Sequence, residues 1–149
     1  MKICIVCSAG GHLLEALEAT RLLRQRHAAY LVTYRLPHLP RTIEGMPTHF
    51  IADPHLSLAK YLLNVIQSAV LVLRHRPDVI ISTGSGMAIA TCLFGKCLGA
   101  RLIYVESGAR VTRPSRTGQF LYRWADLFII QWPSLQAFYP KAVQGGPLI

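Results

Sequence analysis

The sequence predicts an α/β fold, a doubly wound parallel sheet of Rossmann-like type, and three observations carry that prediction. Short apolar runs alternate with longer helical patterns along the whole chain. Where a run is nearly continuous, as in K-I-C-I-V-C, it suits a parallel strand covered on both faces. Gly84, Gly86, Gly99 and Gly108 fall where strands and helices change over.

The elements follow in order. Residues 2–7 form the first strand. Residues 12–26 carry Leu13, Leu14, Leu17, Leu22 and Leu23 at helical spacing. Further strands are expected at 29–34, 48–52, 78–83, 101–105 and 126–131. Helices are expected near 56–74, 87–98 and 115–124, with a short one near 134–138. No internal repeat or low-complexity tract interrupts them. With right-handed crossovers the expected strand order is 3-2-1-4-5-6. That order sets strands one and four side by side where the winding reverses, with strand five next to four. Ligands bind such sheets in the crevice beyond the carboxyl ends of the strands at that point. At 149 residues the chain is expected to form a single domain, 1–149.

Composition narrows the partners. With 52% hydrophobic and 15% charged residues the chain is too apolar to be disordered. An excess of 16 Lys and Arg over 7 Asp and Glu gives a net charge of +9 and favours an anionic partner. A diphosphate ligand or an anionic membrane surface fits. Nucleic acid does not, because the basic segments lack interleaved aromatics. Cys4 and Cys7 form C-x-x-C inside a strand, where alternation sends them to opposite faces. All four cysteines, Cys92 and Cys97 included, are expected to be buried thiols in a reducing compartment. The first strand begins at once after Met1, with no signal peptide before it, and a cytoplasmic location is expected. His27, His38, His49, His55 and His75 show no metal-ligand spacing and are expected to be surface or core residues, with no metal site; no cofactor is expected. Trp124, Trp132 and Tyr139 are expected to pack the last helices.

Three loops at the carboxyl ends carry the chemistry. Ser8-Ala9-Gly10-Gly11-His12 joins the first strand to a helix whose N-terminus favours an anion. Ser8 adds a hydroxyl, and His12 is expected to be a neutral imidazole able to exchange a proton. Ser82-Thr83-Gly84-Ser85-Gly86 repeats that architecture, and the two loops together suggest a diphosphate cradle. Each also reads as a plain turn, with Ser85 as a helix cap. In Tyr104-Val105-Glu106-Ser107-Gly108-Ala109-Arg110-Val111, Glu106 can serve as a base or hold a sugar hydroxyl. Arg110 can fork onto a phosphate or pair with Glu106.

Leu58–Leu73 is a fourth feature. Its polar residues Lys60, Asn64, Gln67 and Ser68 share one helical stripe in an otherwise apolar segment. Sixteen residues reach ~24 Å, short of the ~30 Å needed to span a bilayer. The segment is either a packing helix or one that lays an apolar face on a membrane, with Arg74, His75 and Arg76 beside it. Arg110, Arg113, Arg116 and Arg123 form either an anionic-lipid footprint or a solvated basic face.

The motifs S-A-G-G-H, S-T-G-S-G and Y-V-E-S-G-A-R-V together resemble the acceptor half of two-subunit glycosyltransferases. That family includes asparagine-linked-glycosylation protein fourteen and bacterial exopolysaccharide proteins of the PssD type. More distantly the chain is similar to the N-terminal domain of MurG, a single-chain glycosyltransferase-B (GT-B) enzyme. The resemblance implies a subunit, inactive by itself, that holds a polyprenyl-diphosphate-linked saccharide at the cytoplasmic face of the membrane as a peripheral protein. A separate donor-binding subunit would bind the UDP-sugar, and transfer would invert the anomeric carbon. His12 and Glu106 would face the transfer centre. Ser8, Gly10, Gly11, Thr83, Gly84, Ser85, Gly86 and Arg110 would hold the acceptor and its diphosphate. Eukaryotic members carry an N-terminal membrane anchor, so attachment here is expected through the 56–76 helix and basic patches. Gly145–Ile149 resembles the point where a single-chain enzyme passes into its donor domain.

Two rivals remain. A non-catalytic membrane scaffold would recruit a complete enzyme. An NADP-binding domain is disfavoured because Thr33-Tyr34-Arg35 stands where a ribose-binding acid would end strand two, although Arg35 can meet a 2′-phosphate.

Overall fold

The computed structural model describes all 149 residues, Met1–Ile149. In chain order the elements are β1 (Lys2–Cys7), α1 (Gly11–Arg26), β2 (Ala28–Thr33), β3 (Thr42–Ile43), β4 (Met46–Phe50), α2 (Leu58–His75) and β5 (Val79–Gly84). After them come α3 (Ile89–Cys97), β6 (Arg101–Val105), α4 (Arg116–Leu121), β7 (Leu127–Ile130) and β8 (Val143–Gln144). They build one eight-stranded sheet in the order β3-β4-β2-β1-β5-β6-β7-β8. The six longer strands stand in the expected 3-2-1-4-5-6 arrangement, and every pairing among them is parallel. β1 and β5 are neighbours where the winding reverses.

Two short edge strands were not expected. β3 pairs antiparallel with β4, and β8 extends the sheet beyond β7. Each has two residues, too few for a hydrophobic period to register. The segment expected as a helix over 115–124 is helical only to Leu121; the amides of Trp124 and Ala125 both turn back to the Leu121 carbonyl. The expected helix over 87–98 opens as a 3-10 turn, Gly86–Ala88, before α3, and residues Pro133–Ala137 form another.

The core lies on both faces of the sheet. Ile3, Ile5, Leu31 and Ile81 pack against Leu13 and Ala16 of α1. On the other face Val6, Val32, Ile80, Leu102 and Ile130 meet Cys92 of α3, and Leu121 and Tyr139 lie in the same cluster. Cys4 and Cys7 sit in different clusters, on opposite faces, so they make no pair. Burial pushes both thiols up to about 12. Cys97 departs from expectation: it ends α3 and is exposed. Trp124 departs likewise at 42% exposed, whereas Tyr139 is buried.

α2 is amphipathic, and Asn64, Gln67 and Ser68 of its polar stripe turn inward while Lys60 stays exposed. Ser57 caps its start and Arg76, in the left-handed region, ends it. Asn64 is 1% exposed and donates to the carbonyls of Ala52 and Met87 at 2.7 and 3.1 Å. Ser68, also buried, accepts from the Thr91 hydroxyl of α3, and Gln67 Oε1 accepts from the Ala52 amide. The stripe is therefore inside because it satisfies loop backbone and α3 side chains that would otherwise be buried without partners. Leu58, Leu62, Leu63, Ile66, Val70 and Leu73 are left facing solvent. No helix is long and apolar enough to cross a membrane.

Candidate functional site

The three loops meet at the carboxyl edge of the sheet beside the β1–β5 reversal. Thr83 Oγ1 donates to the His12 carbonyl at 2.7 Å and ties the second loop to the first. Glu15, one turn into α1, accepts from the Gly108 amide at 2.6 Å and ties the third loop to the first. A cleft of about 760 Å³ opens there, lined by His12, Ser85, Arg110, Arg113, Ser115 and Arg116 among others.

Gly10 is needed for the entry into α1, with φ 89° and ψ −139°, a conformation essentially confined to glycine. No side chain caps α1. The amides of Leu13 and Leu14 turn back to the Gly10 carbonyl at 3.0 and 3.2 Å, which leaves those of Gly11 and His12 for an anion. Ser85 is held at φ 92° and caps nothing, so its expected capping role is replaced by a strained backbone at the cleft wall.

His12 is partly exposed, 31% for its side chain. Its Nδ1 is fully covered and has no hydrogen-bond partner. The exposed edge of the ring is therefore the one bearing Nε2. Behind the ring lies Gly84 at φ 116°, where an added Cβ would stand 2.9 Å from the Tyr104 hydroxyl and 3.2 Å from His12 Cε1. Gly84 therefore makes room for the imidazole. Its own amide points to Ser82 Oγ, and the residue is buried. Thr83 is buried too, with its hydroxyl already committed. Neither is placed to touch a phosphate, and both become supports of the site. Gly84→Ala is expected to displace the His12 ring while the protein remains folded. A changed His12 imidazole resonance in NMR beside an unchanged circular dichroism spectrum will check this.

Glu106 is not in the crevice. It is 0% exposed, beneath its loop, and accepts from the amides of Ser107 and Ser115 at 3.2 and 3.1 Å and from the Tyr139 hydroxyl at 2.8 Å. Gly118 is small so that this carboxylate fits; a Cβ there would collide with Oε2. Burial, and then donation to Glu106, push the Tyr139 phenol well above its ordinary range, so it stays a donor. Arg110 does not pair with Glu106; it is exposed and lines the cleft. Ser8 is half-buried where β1 ends, and Gly10, Gly11 and Gly86 are exposed at the same edge. The structure thus brings His12, Ser85 and Arg110 to one cleft. Of the four arginines read as a footprint or solvated face, Arg113 and Arg116 also line it, and Arg123 does not.

Four participants escaped the sequence reading: Glu15, Tyr104, Ser115 and Gln131. Ser115 caps α4 by accepting from the Gly118 amide at 2.9 Å, and Gln131 donates to the Glu106 carbonyl at 3.0 Å. Only Glu15 left a usable signal, since an i,i+3 partner shares its helix face with His12. Arg35, the residue a 2′-phosphate would require, lies over the Phe50 ring at 5.2 Å.

A parallel sheet wound both ways from a central reversal, with polar loops over its carboxyl edge, defines a Rossmann-like half of the GT-B type. Solved structures share that fold. MurG of Acinetobacter baumannii aligns with a TM-score of 0.70 at 16% identity over 90% of this chain and 43% of that one. The UDP complex of Staphylococcus aureus MnaA aligns with a TM-score of 0.74 at 16% identity, over 99% of this chain and 44% of that one. The family model described as "Oligosaccharide biosynthesis protein Alg14 like" matches residues 51–148. The chain belongs to this Alg14-like family. Among its relatives is the UDP-N-acetylglucosamine transferase subunit ALG14 of Yarrowia lipolytica, 38% identical over 102 residues, 60% of this chain and 47% of the relative. That of Rattus norvegicus is 32% identical over 122 residues, 78% of this chain and 54% of the relative. The chain spans about half the length of these curated relatives.

Proposed function

We propose that residues 1–149 act as one acceptor-binding domain, the membrane-associated subunit of a two-component inverting glycosyltransferase. The observation that carries the reading is the cleft itself. It joins an imidazole with an exposed Nε2 edge to three arginines at the sheet edge where α1 presents uncapped amides. Arginines and free amides suit a diphosphate, and the imidazole suits the hydroxyl that must lose a proton. Relatives named as UDP-N-acetylglucosamine transferase subunits support UDP-N-acetylglucosamine as donor, bound mainly by a separate subunit. The acceptor is a polyprenyl-diphosphate-linked saccharide. Its terminal hydroxyl oxygen attacks the anomeric carbon opposite UDP, the bond from carbon to the UDP oxygen breaks, and UDP leaves with the electron pair. The hydroxyl proton passes to His12 Nε2. Arginine contacts to the diphosphate, remote from the reacting carbon, orient the acceptor.

The outward apolar face of α2 supports peripheral attachment at the cytoplasmic face of a membrane. The middle of that helix is tied to the segment just after β5, where Asn64 donates to the Met87 carbonyl two residues beyond Ser85 of the cleft. Substituting Leu62 and Ile66 together by Asp is expected to lower binding to anionic phosphatidylglycerol vesicles at least tenfold, with circular dichroism unchanged. Full vesicle binding by that variant would remove α2 as the attachment face. The function itself is tested by affinity capture of the tagged chain with its donor subunit, followed by transfer from UDP-N-acetylglucosamine to farnesyl-diphosphate-linked N-acetylglucosamine. Turnover by the pair and none by either chain is expected; turnover by this chain alone would overturn the split site.

A further inference from the structure

We propose that Glu15 is a positioning residue for His12, holding the imidazole with its proton on Nδ1 so that Nε2 stays free to act as a base. The proposal rests on the reading of His12 as that base. Its observations are independent of it.

Glu15 is 6% exposed, and its two carboxylate oxygens have different surroundings. Oε1 is crowded with donors: the Gly108 amide at 2.6 Å, Gln131 Nε2 at 3.3 Å and the Ser107 hydroxyl at 3.4 Å. Oε2 is buried and accepts from nothing. The atom it faces is His12 Nδ1, 3.7 Å away, which is itself buried and unpartnered. An orphaned acceptor and an orphaned ring nitrogen, both shut off from water, stand opposite each other. Leaving either without a partner costs roughly 1–3 kcal/mol, and one proton on Nδ1 relieves both. At 3.7 Å the contact is longer than a hydrogen bond. A small ring rotation shortens it, as happens in sites whose hydrogen bonds tighten only with substrate bound. The i,i+3 spacing on α1 keeps the two side chains on one helix face.

The division of labour between the oxygens has a mechanistic meaning. Through Oε1, Glu15 is fixed to the loop that carries Arg110, so the imidazole is oriented relative to the cleft rather than to α1 alone. Through Oε2 it selects the tautomer and stabilises the imidazolium formed when the acceptor proton arrives. Glu15→Gln separates the two roles. The amide oxygen can keep the Gly108 amide, but the new NH2 would donate to Nδ1. The ring proton would then move to Nε2, and the base would be blocked.

The test uses the full chain for spectroscopy and the captured pair for kinetics. Nitrogen-15 NMR of the imidazoles is expected to show His12 as the Nδ1–H tautomer in the native protein and as Nε2–H in Glu15→Gln. In the pair, kcat should fall roughly 10²–10⁴-fold with KM within about threefold. The double variant with His12→Ala should be no slower than His12→Ala alone, because the two residues act as a unit. An unchanged His12 tautomer in Glu15→Gln would overturn the pairing whatever the kinetics. Altered NMR with undiminished turnover by His12→Ala would instead overturn the catalytic half together with the function it rests on. Should Glu15→Gln fail to fold, the native spectrum decides the pairing by itself: His12 found there as the Nε2–H tautomer would overturn the proposal.

Discussion

His12→Ala in the reconstituted pair is expected to lower kcat by roughly 10²–10⁴-fold, the usual range for removing a general base, with little change in KM. The reasons are geometric. His12 carries the imidazole of the cleft and is partly open to it, with Nδ1 turned inward and the Nε2 edge outward; the arginines beside it stay protonated and cannot take a proton. The carboxylates nearest the loops are unavailable: Glu106 is fully buried and Glu15 nearly so. Alanine keeps the Thr83 bond, which runs to the His12 backbone carbonyl, but takes the ring away from buried Glu15 Oε2. A loss of stability of roughly 1–3 kcal/mol is therefore expected, too small to unfold the protein. Vesicle binding through α2 should be unaffected. The measurement is steady-state transfer from UDP-N-acetylglucosamine, with thermal denaturation as the control. Unchanged kcat would remove the base from this chain and favour the scaffold reading, in which the partner holds the whole reaction.

The sheet was legible because its information is local and redundant. Continuous apolar runs such as Lys2–Cys7 and Arg101–Val105 have the strand periods and glycine boundaries that parallel sheets impose, and both were predicted to the residue. Once six such strands alternate with helices, handedness leaves few topologies, so the loop neighbourhood followed. What escaped were features set by three-dimensional satisfaction of polar groups. No pattern within α2 says that Asn64 and Ser68 will find carbonyls and hydroxyls inside the molecule, so the helix read equally well facing either way. Glu106 looked like a crevice residue because it follows a strand end. Its burial depends on the far end of its own loop, Ser115, folding back over it and on Tyr139, which is distant in sequence and arrives only through the fold. Thr83 and Gly84 were read as ligand contacts for the same reason, and the structure uses them to hold and accommodate His12. A loop's chemistry can be read from its composition, but which member faces the ligand is decided by neighbours from elsewhere in the chain.

Glu106→Ala is expected to destabilise the protein by about 3 kcal/mol, one of the larger effects available to a single substitution outside the apolar core. Three donors converge on this carboxylate: two backbone amides of the loop from Glu106 to Ser115, and the Tyr139 hydroxyl from beyond β7. Removing it orphans the Ser115 amide and the Tyr139 hydroxyl in a region already closed to water, and leaves a void against Gly118. For a chain of this length the loss corresponds to a fall in Tm of roughly 6–12 °C. The gentler Glu106→Gln keeps an acceptor oxygen and the volume, so a loss of about 1 kcal/mol is expected, with kcat within about threefold of the native pair. That combination separates the two roles the residue has been given. A catalytic base replaced by its amide loses roughly 10² or more in kcat with Tm nearly intact, because its work is done on the substrate. A buried anchor shows the reverse, since its work is done on the loop that carries Ser107, Arg110 and Arg113 into the cleft. Thermal denaturation and steady-state kinetics on the same two variants decide it, and a large kcat loss in Glu106→Gln at unchanged Tm would return Glu106 to the reaction.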